Sequence, residues 1–190
     1  MSKLHIPILI GTTRPARQSA MAARFIEQFG ERLDNITVEL VDPNNFKFEG
    51  DGNDPEGKDP RYTEITARAD GFIIVVPEYN HSFPGSLKRM LDSELKNYVH
   101  KPVAFAGVSN GGWGGVRAIE SLVNTVREMG LVASFTDIHF PRIQDLFDEE
   151  GNMIDKEAYQ PRLENFYAEL IWLAETLKHG RKNIPSSYHQ

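Results

Sequence analysis

Hydroxyl and guanidinium side chains are concentrated in one short segment, residues 11–19, which reads Gly-Thr-Thr-Arg-Pro-Ala-Arg-Gln-Ser. An apolar run precedes this segment and a helical pattern follows it, so it is expected to lead from a strand into a helix. The free N–H groups and partial positive charge of a helix N-terminus favour a bound phosphate. The side chains that could add hydrogen bonds to a phosphate are Thr12, Thr13, Arg14, Arg17 and Ser19. The segment predicts a phosphate-binding loop, and the alternative is a helix cap beside two solvated arginines.

Several other phosphate sites are excluded by what this segment lacks. It contains neither the Gly-x-Gly-x-x-Gly fingerprint of dinucleotide-binding folds nor the lysine of a P-loop. It also lacks the acidic pair that a phospho-accepting signalling domain places at this strand end. The segment therefore favours a whole phosphate group as the ligand.

A second strand-end segment, residues 77–88, combines prolines, a glycine, aromatic rings and amide groups. Pro77, Pro84 and Gly85 restrict its backbone, and backbone groups held in this way can bind the edge of a flat heterocycle. Tyr79 and Phe83 add aromatic surface. The side chains of Asn80 and Ser82 can add hydrogen bonds. The alternative is an ordinary turn from a strand into a helix, with Pro84 near the helix start.

Two titratable residues in the same segment, Glu78 and His81, invite a catalytic interpretation. Acid–base catalysis needs geometry as well as residue type, and a Glu at a strand end can equally pair with an arginine or join a subunit contact. We favour the structural role for Glu78 and leave both roles open for His81. No Gly-x-Ser-x-Gly elbow accompanies them, so the sequence gives no support for hydrolysis.

A third strand-end segment, residues 109–115, reads Ser-Asn-Gly-Gly-Trp-Gly-Gly and opens a helix at Val116. Glycines let a backbone approach a planar ligand closely. Their N–H groups, together with the helix N-terminus, favour negative charge such as that on the pyrimidine edge of a reduced flavin. Trp113 is predicted either to cover the site, to line a subunit interface or to pack on a neighbouring helix.

The three segments lie between predicted strands and helices, which must position them. Short apolar runs predict five strands, at residues 4–10, 36–41, 71–76, 103–108 and 132–140. Helical spacing of apolar residues predicts helices within 21–30, 62–69, 87–95, 116–126 and 159–177, and we assign the apolar stripe of the last helix, with Trp172, to the core. Such alternation is typical of an α/β doubly wound sheet with helices on both faces, in which ligands bind beyond the carboxyl ends of the strands. We expect one domain over residues 1–180 and a polar tail at 181–190.

Composition limits the classes of function. The chain has 190 residues, no cysteine and a net charge of −6, which excludes thiolate metal sites and cysteine catalysis and argues against broad nucleic-acid binding. We expect no metal site. No apolar run approaches a membrane span, and no secretory signal is recognised, so we expect a cytoplasmic protein without membrane contact.

Taken together, the three segments resemble the NAD(P)H-dependent FMN reductases, a flavodoxin-like family that includes quinone, azo-dye and chromate reductases. The most specific element is Pro77-Glu-Tyr-Asn80 followed by Pro84-Gly85 and Leu87-Lys88. The resemblance covers the chain from Leu4 to about the end of the last helix. It implies a flavodoxin-like five-stranded parallel sheet of order 2-1-3-4-5. Relatives of this kind are commonly homodimers or homotetramers.

The resemblance also implies a role for each matching residue. The phosphate of FMN would be bound by Thr12, Arg14, Arg17, Gln18 and Ser19. The flavin ring would be bound by Pro77, Glu78, Tyr79 and Asn80, mainly through backbone groups, and by Ser109, Gly111 and Gly112 on the pyrimidine side. The first loop departs from the common Gly-Ser-x-Arg form, because Thr12 replaces the serine and Arg17-Gln18 precede a later Ser19. This departure puts Ser19 in doubt as a ligand and leaves Gln18 or Arg17 as substitutes.

The expected reaction is a ping-pong transfer. NADPH or NADH passes a hydride to flavin N5, leaves, and is replaced by a small acceptor such as a quinone, a flavin or an azo compound. No protein residue is expected to act as catalytic acid or base, since the flavin supplies the chemistry. One alternative is a flavodoxin-like FMN electron carrier without NAD(P)H reactivity. Another is a binding or scaffold protein that has kept the fold and lost the cofactor.

Overall fold

The computed structural model describes residues 3–189 and is built on a parallel sheet of order β2-β1-β3-β4-β5, with β6 also paired to β4. Its strands are β1 (Leu4–Ile10), β2 (Ile36–Val41), β3 (Phe72–Pro77), β4 (Pro102–Val108), β5 (Val132–Ala133) and β6 (Ile138–Phe140). Its helices are α1 (Ser19–Gly30), α2 (Pro60–Arg68), α3 (Gly85–Asp92), α4 (Val116–Glu128) and α5 (Lys156–Asn183). The predicted doubly wound sheet and its strand order are confirmed.

The last predicted strand, residues 132–140, is split into β5 and β6. Val103 of β4 pairs with Ala133, whereas Ala106 pairs with Ile138, so the outer strand carries two more residues than β4 between these pairs. The extra residues leave the ladder, as in a β-bulge. They place the ring of Phe135 in solvent, 82% exposed.

Apolar side chains fill both faces of the sheet. Helices α1 and α5 cover one face, and α2, α3 and α4 cover the other. β3 is buried at every residue, as its continuous apolar sequence predicts. The assignment of Trp172 to the core is wrong: its side chain is 61% exposed on the outer side of α5, although the stripe around it, including Phe166 and Leu170, is buried.

The segment predicted as a polar tail, 181–190, contacts the rest of the chain through its described residues, which end at His189. Helix α5 continues to Asn183, and residues Ser187–His189 form a short 3₁₀ turn. Arg181 donates to the carbonyl of His100 (2.7 Å), and the imidazoles of His100 and His189 lie 2.9 Å apart. The tail therefore docks at the end of the sheet opposite to the three strand-end loops.

A buried lysine lies at this same end of the sheet. Lys101 is 7% exposed, and its ammonium donates to the carbonyls of Thr66 (2.7 Å) and Ala67 (3.2 Å) at the end of α2. Burial lowers the pKa of Lys101 to about 8, and the nearby Arg181 acts in the same direction. Lys101 therefore binds the C-terminal carbonyls of α2, and it loses its proton more readily in the folded than in the unfolded chain.

This lysine gives a pH dependence of stability with a defined sign. Its folded-state pKa lies below its unfolded value, so between about pH 8 and pH 10 the unfolded chain holds a proton that the folded chain has lost. The contribution of Lys101 to the free energy of unfolding should therefore rise by about 2 kcal/mol from pH 7.5 to 9.5. Urea denaturation at the two pH values measures it, and the rise should disappear in Lys101→Met but persist in Lys182→Met, an exposed lysine. Equal pH profiles for the wild type and Lys101→Met would contradict the assignment.

Candidate functional site

A cavity of about 360 Å³ lies at the carboxyl ends of β1, β3 and β4. This is the edge of a doubly wound sheet where ligands are expected. Its wall includes the predicted residues Arg14, Arg17, Gln18, Ser19, Pro77, Glu78, Tyr79 and Ser109. It also includes residues that the sequence did not single out as ligands, namely Pro15, Ala16, Val108, Asn110 and Ile143. Each of these except Ile143 adjoins a predicted residue in the chain; Ile143 comes from a 3₁₀ turn after β6, which no local motif marks.

The first loop leaves β1 through a narrow gap. Gly11 donates its N–H to the carbonyl of Val75 (2.9 Å), and a Cβ at Gly11 would lie 2.7 Å from that oxygen. The hydroxyl of the next residue, Thr12, accepts from the N–H of Arg14 (3.2 Å) and pairs with the Tyr79 hydroxyl (3.1 Å). Thr12 lies outside the cavity wall and is 2% exposed. In this structure the Thr12 hydroxyl therefore joins the first loop to the second, and its contact with a phosphate stays a prediction.

Two buried donors at the start of α1 have no partner among the described residues. They are the Ser19 hydroxyl and Nε of Arg17. The Arg17 guanidinium also pairs with the Asp42 carboxylate and donates to the carbonyl of Arg14 (3.4 Å). A buried donor without an acceptor is costly, so these atoms indicate a ligand with acceptor oxygens. The doubt that the sequence raised about Ser19 finds no support in its position.

The alternative of a helix cap in the first loop is not supported. Gln18 occupies the N-cap position of α1, and no side chain makes a capping hydrogen bond there. The first-turn N–H groups of a helix have no intrahelical acceptor and therefore remain available to a ligand. Arg17 and Ser19, which carry the two unpartnered donors, and Gln18 at the helix start all belong to the wall of the same cavity.

The second loop is a tight hairpin turn, with Tyr79 and Ser82 exchanging both backbone hydrogen bonds (2.8 and 3.0 Å). The two residues between them, Asn80 and His81, have φ of 50° and 67°, as in a type I′ turn. Asn80 and His81 are exposed and lie outside the cavity wall. The turn therefore explains why two residues of this loop point away from the cavity.

Two backbone N–H groups that the sequence predicts as ligand contacts in the second loop make hydrogen bonds within the protein. The N–H of Tyr79 is used by the turn, and the N–H of Glu78 donates to the carbonyl of Val108 (2.9 Å) as a continuation of the sheet. Neither N–H is therefore available to a ligand edge in this geometry. Glu78 and Tyr79 nevertheless belong to the cavity wall.

The side chain of Glu78 pairs with an arginine, as the sequence hypothesis favoured. One carboxylate oxygen accepts from Arg117 of α4 at 3.1 Å. The other oxygen is buried and has no partner among the described residues. The Arg117 guanidinium lies over the ring of Trp113, with 5.7 Å from Cζ to the ring centroid. Trp113 is 67% exposed, so it does not pack on a neighbouring helix.

The third loop closes one side of the cavity through Ser109 and Asn110. Gly111 and Gly112 are exposed, lie outside the wall, and have open space where a Cβ would be. The carbonyl of Gly111 accepts from Arg142 N–H and from the Ser109 hydroxyl, both at 3.0 Å. The close approach to a planar ligand that the sequence predicts for Gly111 and Gly112 therefore stays a prediction.

The residues present fit FMN. The cavity has unpartnered donors and a helix N-terminus at one side and an aromatic ring, a rigid strand end and a carboxylate at the other, which are the groups that a phosphate and a polar heterocycle require. Within residues 3–189, no group of three or more His, Cys, Asp or Glu side chains could hold a metal ion. No helix in this part of the chain is long and apolar enough to cross a membrane.

Sequence comparison gives a family match over most of the chain. The family described as NADPH-dependent FMN reductase matches residues 4–141. An NADPH azoreductase from Bacillus sp. (strain OY1-2) is 31% identical over 121 residues, which are 63% of this chain and 66% of that protein. A quinone reductase from Pseudomonas putida is 25% identical over 82% of this chain and 88% of its own length.

Comparison with solved structures gives the same fold at low sequence identity. FerB, a flavoenzyme NAD(P)H:(acceptor) oxidoreductase from Paracoccus denitrificans, matches with a TM-score of 0.72 at 18% identity and covers 90% of this chain and 98% of its own. A variant of flavodoxin from Pseudomonas aeruginosa matches with a TM-score of 0.57 at 13% identity, over 88% of this chain and 99% of its own. The fold is therefore flavodoxin-like.

Proposed function

This chain belongs to the NADPH-dependent FMN reductase family, and we propose that it passes electrons from NAD(P)H through FMN to a small acceptor such as a quinone, a flavin or an azo compound. Membership makes the protein an oxidoreductase with FMN as its cofactor and NAD(P)H as its electron donor. The observation that carries the placement of FMN is the pair of buried, unpartnered donors on Arg17 and Ser19 in the cavity wall.

In this proposal the two ends of the cavity bind different parts of FMN. Ser19, Arg17 and the N–H groups at the start of α1 bind the FMN phosphate, with Arg14 and Gln18 beside them. The flavin ring lies toward a second group of wall residues, made up of Pro77, Glu78, Tyr79 and Ser109. The four remaining predicted ligands lie outside the wall and would contact only a part of the ligand that extends beyond it; they are Thr12, Asn80, Gly111 and Gly112.

The proposed order of the reaction uses one site for donor and acceptor. When bound, FMN would supply the hydride and electron chemistry, so the chain need not supply an acid or base. NAD(P)H and the acceptor would contact in turn the FMN held in the cavity described above. We therefore propose a ping-pong order with loose acceptor specificity.

Anaerobic stopped-flow absorbance of the FMN-loaded protein tests this function. Mixing with NADPH or NADH should bleach the oxidised flavin band within seconds, and a quinone added afterwards should restore it. Steady-state kinetics provide a second check. When the concentrations of donor and quinone are both varied, double-reciprocal plots of the initial rate should give parallel lines. Bound flavin that neither donor bleaches would reject the reductase and favour an electron carrier, while failure to bind FMN would favour a scaffold protein.

Ser19 provides a prediction about cofactor binding alone. Replacing Ser19 by alanine removes a buried hydroxyl that has no acceptor in the protein, so the loss should appear in FMN affinity and hardly in folding stability. We expect the Kd for FMN to rise about tenfold, equivalent to about 1.4 kcal/mol. Quenching of flavin fluorescence measures it. Thr13→Ala is the control, because the Thr13 side chain, a candidate by sequence, is exposed and lies outside the cavity wall. Equal affinities of Ser19→Ala and Thr13→Ala would contradict the phosphate role.

The homodimer or homotetramer and the cytoplasmic location stay predictions. Two exposed aromatic side chains, Trp113 and Phe135, are 67% and 82% exposed and are suited to a subunit contact. Sedimentation velocity of the full chain measures the assembly, with a dimer or tetramer as the expected species.

A further inference from the structure

Glu78 belongs to the cavity wall, and only one of its two carboxylate oxygens has a partner among the described residues. Its side chain is 10% exposed, and the hydrogen bond from its N–H to Val108 fixes the residue to the end of β3. One oxygen accepts from Arg117, and the other is buried without a partner among the described residues. A half-paired carboxylate in a confined wall has electrostatic influence over what binds beside it.

Contacts with Glu78 and Trp113, rather than the helix dipole of α4, stabilise the position of Arg117. It lies in the first turn of α4, where the helix dipole disfavours a positive charge. Its position is instead held by the Glu78 carboxylate and by the face of Trp113, since the guanidinium contacts both. Gly114 and Gly115 follow Trp113 with φ of 59° and 83° and fix this turn against β4. The loop thus holds a cation against a carboxylate of the cavity.

The arginines of the cavity wall do not replace Arg117, which lies outside that wall. Arg17 is already paired with Asp42, and Arg14 is an exposed residue of the first loop. Among the described residues, Arg117 is the cation paired with Glu78. Without it, Glu78 would present an uncompensated negative charge to the cavity.

We propose that the Glu78–Arg117 pair sets how strongly this site prefers reduced over oxidised FMN, with Arg117 as the positioning residue that compensates the Glu78 charge. The inference rests on the proposed placement of FMN in this cavity. Reduced flavin carries more negative charge than oxidised flavin, so a bare carboxylate in the wall weakens binding of the reduced form more than that of the oxidised form. Compensation by Arg117 removes that penalty.

The test is the midpoint potential of the bound FMN, measured by anaerobic reductive titration against a reference dye. In Arg117→Met, affinity for reduced FMN should fall about tenfold relative to oxidised FMN, which lowers the two-electron potential by about 30 mV. Glu78→Gln/Arg117→Met should return to near the wild-type potential, because neither charge remains. Arg127→Met makes the same charge change near the other end of α4 and should leave the potential unchanged. Urea denaturation of each variant identifies any loss of folding.

The outcomes separate this inference from the proposed cofactor site. A potential in Arg117→Met equal to that of the wild type, or a double variant that stays as low as the single one, would overturn the charge compensation. If Ser19→Ala nevertheless weakens FMN binding, the placement of FMN survives and only the role of the pair fails. If neither Ser19→Ala nor Arg117→Met changes FMN binding or potential, the cavity itself is the wrong site.

Discussion

Replacing Gly115 by alanine should lower the free energy of unfolding by about 3 kcal/mol. Gly115 has φ of 83°, in the left-handed region that costs a residue with a side chain free energy. A Cβ at this position would also lie 2.5 Å from the N of Val108 and 2.8 Å from Gly107, both in β4. Backbone atoms of a central strand cannot move aside cheaply, so strain and overlap add. Urea denaturation followed by circular dichroism measures the change.

Gly111, in the same loop, offers the matched control. It has open space where a Cβ would be and is exposed. Gly111→Ala should therefore change the free energy of unfolding by less than about 0.5 kcal/mol. If both variants lowered the free energy of unfolding by similar amounts, the effect of Gly115→Ala would not come from the contact with β4. The comparison also tests which glycines of the loop are needed by the fold.

The sheet could be predicted from the sequence because its strands are short apolar runs bounded by loop residues. β1 and β2 have the predicted limits, 4–10 and 36–41, and α4 begins at the predicted Val116. The break in the last strand could not be predicted, since Phe135 is an apolar residue inside a continuous strand-like pattern. Its exposure depends on the register with β4, which involves residues far apart in the chain.

The loops of the candidate site could be predicted from the sequence, but the hydrogen-bond partners of their polar groups could not. Strand ends and the glycine and proline content gave the three loops, and the cavity lies between them. The use of each polar group was not predictable, because partners such as Asp42 for Arg17 and Arg117 for Glu78 come from other elements. Likewise Thr12 resembles a ligand by type, yet its hydroxyl is used by Tyr79.

Replacing Arg17 by methionine should produce the largest loss of cofactor affinity. Arg17 has a buried Nε without a partner in the cavity wall, and a charge-assisted bond to a phosphate is among the stronger hydrogen bonds. We expect the Kd for FMN to rise about 100-fold, equivalent to about 2.7 kcal/mol. The Kd for riboflavin, which lacks the phosphate, should change little. Arg24→Met, which alters an exposed arginine of α1, should leave both affinities unchanged.

The ion pair between Arg17 and Asp42 adds a second possible cause of lost affinity, which a double variant can separate from the first. Arg17→Met leaves the Asp42 carboxylate unpaired near the bound phosphate, so part of the loss could be repulsion from Asp42. The double variant Arg17→Met/Asp42→Asn removes that charge. If Arg17 itself binds the phosphate, the double variant should keep most of the loss for FMN, because the donor is still missing. Recovery of FMN affinity in the double variant, or equal weakening of FMN and riboflavin in the single one, would show instead that Arg17 serves only to neutralise Asp42 and to hold the first loop in place.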